Sequence, residues 1–141
     1  MNWQYGVTTV PELFETYLPR TLDSLAVAGF DGPRLFVDGI DMVPEYLSSY
    51  AVTCRPDRVG CYGNWVLSAW ELFIRNPRAD RYAVFQDDFI TVPDLKRRLE
   101  LVDHHHISLS LTEENVNGKE GWYASNQMGR GAVALIFSNP C

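Results

Sequence analysis

The stretch Tyr82-Ala83-Val84-Phe85-Gln86-Asp87-Asp88-Phe89-Ile90 runs apolar, stops at two adjacent aspartates, and turns apolar again. YAVF has the length and composition of a buried strand. A strand apolar on both faces needs cover on both, as in the parallel sheets of α/β proteins. Two like charges at its end have two readings. They are a solvated strand end close to the next helix, or a pair aimed at a cation.

The flanks are helical. Before the stretch, Trp65, Ala69, Leu72 and Phe73 share one face, Asn64 is placed to cap the helix, and Asn76-Pro77 stops it. After it, Thr91 reads as an N-cap with Pro93 in the first turn of a short helix carrying Leu95, Leu99 and Val102. Nearer the N-terminus, Tyr5 to Val10 reads as a strand ended by Pro11. Leu18, Leu22, Leu25 and Ala26 then mark a helix that starts near Pro19 and closes at Gly29. Asp31-Gly32-Pro33 is a turn, and RLFVDG is a second buried strand ending in Asp38-Gly39. Residues 40–62 are weakly patterned, with a short strand at Tyr50 to Thr53. Ile107 to Leu111 alternates like a half-buried strand, a polar loop runs from Glu113 to Gly131, and AVALIF is a last buried strand. Strands alternating with helices predict a single α/β domain over residues 1–141, with a mostly parallel sheet sandwiched by helices.

Composition narrows the function. The 141 residues are 46% hydrophobic and 21% charged, ordinary globular stock. A net charge of -6 and a pI near 4.9 argue against nucleic acid as a partner, which a basic stripe would serve. No apolar run is long enough for a transmembrane segment, and MNWQYGVTT lacks the basic start and apolar core of a signal peptide. Cys54, Cys61 and Cys141 form neither a disulfide framework nor a CxxC zinc pair. The expected location is cytoplasmic.

In such sheets ligands bind beyond the carboxyl ends of the strands. Thr8, Thr9, Asp38 and the Asp87-Asp88 pair fall there. Adjacent carboxylates in a turn repel each other, and a divalent cation removes that cost. Hard oxygen ligands suit Mg²⁺ or Mn²⁺, which keep waters and accept phosphate oxygens. Asp38 suits a ribose or base edge, or simply a turn before Gly39. Thr8 and Thr9 suit a nucleotide, or simply a strand. His104-His105-His106 is internal, and alternating side chains cannot all grip one ion. Trp122 and Tyr123 suit stacking on a sugar or base, or cover for the core edge. Phosphate-loop, GxGxxG, GxSxG and HExxH motifs are missing from the sequence.

The order YGVTTVPE, LPRTLDSLAVAGF, PRLFVDG, GNWVLSAWELFIRNPRADRYAVFQDDFI, GWYASNQMGRGAVALIFS resembles glycosyltransferases of the GT-A (Rossmann-like) fold, similar to the family 2-like bacterial and phage enzymes, over nearly the whole chain. The strongest part is the helix leading into YAVFQDDF, where that family carries an acidic metal motif. The resemblance implies transfer of a sugar from a nucleoside-diphosphate donor, UDP-sugar foremost, to a hydroxyl acceptor. It implies that Thr8 and Val10 lie against the base, Asp38 binds uracil or ribose, and Asn64 stands near the donor. It also implies that Asp87 and Asp88 hold Mn²⁺ or Mg²⁺ on the donor diphosphate. The motif here is Gln-Asp-Asp, not Asp-x-Asp, so the directly ligating aspartate stays open. Such enzymes continue beyond the last strand with an acceptor part and a base, whereas this chain stops at Ser138-Asn139-Pro140-Cys141. Glu113, Glu114 and Glu120 are loop acids with no assigned role, and the base stays unassigned. Two alternatives stand beside this reading. One is a truncated donor-binding or interaction module. The other is a nucleotidyltransferase, which would need a glycine- and basic-rich loop where YGVTTVPE stands.

Overall fold

The structure, a computed structural model, describes residues 1–109 and 134–139. In chain order the elements are β1 (Trp3–Thr9), α1 (Tyr17–Val27), β2 (Arg34–Asp38), β3 (Val52–Arg55), α2 (Gly60–Arg75), β4 (Arg81–Gln86), α3 (Leu95–Glu100), β5 (His106–Ser108) and β6 (Ala134–Ser138). They build one six-stranded sheet, ordered β3-β2-β1-β4-β6-β5. The predicted α/β class holds, but the sheet is mixed rather than mostly parallel. β3, β2, β1 and β4 pair in parallel, while β6 is antiparallel to both β4 and β5. The apolar run of β6 marks a strand packed on the core through Ala134 and Ile136 and says nothing about its direction.

Alternation along the strands sends side chains to two cores. Leu35, Val37, Ala83 and Phe85 face α1 and α3, meeting Leu18, Leu22, Leu25, Leu95 and Leu99. Phe36, Tyr82 and Val84 face α2, meeting Leu72 with Trp65, Ala69 and Phe73 packed around it. Helices therefore cover both faces of the sheet. Phe30 sits edge-on to Trp3, Tyr5 and Phe85, with ring centroids 5.1 to 5.3 Å away. Gly6 lets β2 approach β1, since a Cβ there would meet the Arg34 carbonyl oxygen at 2.7 Å and the Phe36 ring at 2.4 Å.

The helix ends show what local reading captured. α1 ends in a Schellman motif: Phe30 N–H donates to Leu25 O at 2.8 Å and Gly29 N–H to Ala26 O at 3.1 Å, with Gly29 at φ +95°. α2 starts at Gly60, four residues before the predicted cap at Asn64. Its cap comes from β2, beyond the reach of a local pattern. α3 starts after Asp94, at φ +59°, not after Thr91. Thr91 is instead tied to α1, its N–H donating to Ser24 Oγ at 2.8 Å. Arg81 is buried at the amino end of β4 and closes the far end of α3, donating to Leu99 O at 2.5 Å and to Val102 O. Among the described residues no helix is long and apolar enough to cross a membrane.

Candidate functional site

Parallel pairing brings the carboxyl ends of β3, β2, β1 and β4 to one edge of the sheet. Arg55, Asp38, Thr9 and Gln86 follow one another along it. Beyond β4 the chain makes a tight turn, Phe89 N–H donating to Gln86 O at 3.1 Å, so Asp87 and Asp88 are its two central residues. Phe89 then folds back, stacked on Phe85 at 5.4 Å. Two hydroxyls one turn apart on α1 moor this turn. Thr21 Oγ1 donates to Asp87 O at 2.6 Å, and Ser24 Oγ to Thr91 O at 3.3 Å.

The two aspartates differ. Asp88 is exposed, whereas Asp87 is buried. Thr9 and Val10, at the end of β1, are the polar neighbours that favour the ionised form of the Asp87 carboxylate. Burial is the main cause that holds its pKa above the ordinary aspartate value. The Thr9 hydrogen bond pulls it back, and the Asp88 charge adds to the rise. Thr8 is buried beside them, its hydroxyl donating to Phe85 O at 3.2 Å. Thr8, Val10, Asp87 and Asp88 therefore converge at the β1–β4 junction.

Asp38 and Asn64 lie one strand over and point into the fold. Asp38 is 2% exposed. Its Oδ1 accepts from Val59 N–H at 2.9 Å and its Oδ2 from Gly60 N–H at 3.0 Å, so it caps α2. Asn64, also buried, donates from Nδ2 to Phe36 O at 3.0 Å and accepts from Arg55 Nε at 2.9 Å. Both side chains join α2 to β2 and β3. A carboxylate offers about four acceptor positions, so Asp38 keeps capacity beyond its two amides.

Sequence reading overlooked three contributors. Thr21 and Ser24 interrupt the polar-to-apolar rhythm of α1, a signal that only the turn they hold makes meaningful. Arg58, in the loop RPDRVG, packs on Gly39 and pairs with Glu12 across the same edge. Its side chain is 54% exposed, leaving a cation at the strand ends that can exchange partners.

Among the described residues no group of three or more His, Cys, Asp and Glu is placed to hold a metal ion. His106 instead opens β5 and sits edge-on to Phe137 at 5.6 Å. Cys54 and Cys61 are free thiols, and Gln86 Nε2 points to Cys61 Sγ at 3.6 Å, which sets the first turn of α2 beside the aspartate turn. Trp122, Tyr123, Glu113, Glu114 and Glu120 lie outside the described residues. Comparison with protein-family models and with curated proteins yields no match for this chain.

Proposed function

We propose that the chain is the nucleotide-sugar-binding domain of a metal-dependent, GT-A-type glycosyltransferase, with a UDP-sugar as the foremost donor. One observation carries the reading: an Asp-Asp turn at the carboxyl end of β4, a central strand parallel to β1, with one carboxylate buried beside the end of β1 and the other open to solvent. Ligand sites in parallel α/β sheets lie at that edge. A pair of carboxylates suits Mg²⁺ or Mn²⁺, which are held by one or two carboxylates plus phosphate oxygens. The same set does not fit structural zinc.

In this reading Asp88 meets the ion from the solvent side. Asp87, whose backbone carbonyl is held by Thr21, presents a carboxylate oxygen or orients Asp88. Thr8 and Val10 form the floor for the base. Asp38 and Asn64 act as positioning residues, holding α2 against the strand ends. Arg58 releases Glu12 to meet the diphosphate. A bound divalent cation would supply charge neutralisation for the departing nucleoside diphosphate.

Calorimetry with UDP, GDP and dTDP, with and without Mn²⁺, tests the proposal, followed by assays for donor hydrolysis and transfer. Metal-dependent binding of one nucleotide is expected. No binding under any condition rejects the reading, and binding without turnover reassigns the chain as a donor-binding module.

A further inference from the structure

On α2 apolar side chains occupy the outer side of the helix as well as the side packed on the sheet. The buried face carries Asn64, Ser68 and Leu72. The opposite face carries Tyr62, Val66, Trp70 and Ile74 at every fourth position, with Leu67 beside them, and all five are exposed. Trp70 is 61% exposed and Ile74 58%. A helix surface in water is ordinarily polar. The charged residues of α2 are Glu71 and Arg75, paired with each other at 2.9 Å on the helix flank, where Glu71 also accepts from Thr53. The stripe itself carries no charge. Charge depletion with exposed Trp and Tyr is the composition of an interface centre.

We infer that this outer face of α2 is the surface by which two copies of the chain pair about a two-fold axis. The spacing of the stripe specifies the occupant. An antiparallel second α2, with the axis between Val66 and Trp70, sets Tyr62 against Ile74 of the partner subunit and Val66 against Trp70 of the partner subunit. The patch meets itself, as a two-fold contact requires. Rows of every fourth residue interdigitate with the helices crossing at about -50°. The exposed parts of Val59, Tyr62, Val66, Leu67, Trp70 and Ile74 amount to roughly 600 Å² per protomer, so about 1,200 Å² for the pair, the lower bound of stable interfaces.

Sedimentation velocity on the full chain, from about 1 to about 100 μM, tests this. The expected species has twice the 16.1 kDa chain mass. Trp70→Glu should raise the dissociation constant by at least about 30-fold, with an unchanged far-ultraviolet circular dichroism spectrum showing that the fold survives. Ile74→Glu should do the same. Val27→Glu, at an exposed position of α1, should leave association as it was. A wild-type chain that stays at 16.1 kDa throughout overturns the inference, whether its α2 face then binds phosphatidylcholine vesicles or nothing. So does a Trp70→Glu chain that associates like wild type.

Discussion

Replacing Asp38 by Ala removes the acceptor for two backbone amides at once. Val59 and Gly60 both donate to its carboxylate, at 2.9 and 3.0 Å, and α2 begins there. Losing a helix cap costs about 0.5–2 kcal/mol, and hydrogen bonds to a charged group contribute about 1.5–3 kcal/mol. Val59 and Gly60 are themselves exposed, so water recovers part of the loss. The net expectation is a destabilisation of about 2–3 kcal/mol. At this chain length that lowers the thermal midpoint by roughly 6–12 °C. Asp38→Asn keeps one acceptor but turns an amide donor toward a backbone N–H, so it should fall between wild type and Ala. Urea unfolding followed by circular dichroism, with the slope compared between variants, is the assay. A loss below about 0.5 kcal/mol in the Ala variant would refute the capping role, leaving Asp38 free for the ligand contact that its sequence position suggests. Nucleotide binding measured on the same variants, well below their midpoints, separates the two roles.

Four further outcomes are expected. Asp88→Asn should abolish the enhancement of nucleotide binding by Mn²⁺; unchanged metal dependence by calorimetry moves the ion elsewhere. In the metal-free protein the raised pKa of Asp87 means that the unfolded chain ionises first as pH rises, so stability is fullest below the ordinary aspartate value and is lost through the folded pKa. Wild type should therefore lose stability relative to Asp87→Asn as pH rises above the ordinary aspartate value of about 4, and parallel denaturation profiles would contradict this. Gly6→Ala should destabilise by about 1–3 kcal/mol, because its Cβ meets backbone as well as the Phe36 ring; a wild-type midpoint in urea would show that β2 can shift. Arg58→Gln should weaken nucleoside-diphosphate binding by about tenfold while leaving the midpoint within about 2 °C, since its ion pair with Glu12 is exposed.

Much of the molecule is legible in the order of its residues, wherever the physics is local. Leucines at three- and four-residue steps, followed by a glycine able to take a positive φ, determine α1 and its end. Apolar runs determine β2, β4 and β6 as buried strands, and two aspartates before Phe89 determine a polar turn. Tertiary structure decided what depends on partners far away in the chain. It set the direction of β6, because an apolar run reads the same for parallel and antiparallel pairing. It moved the start of α2 from Asn64 to Gly60, because the capping carboxylate comes from β2. It separated two neighbouring aspartates that the sequence presents as equals: packing against the end of β1 buries Asp87 beside Thr9 and Val10, while the same turn leaves Asp88 in water.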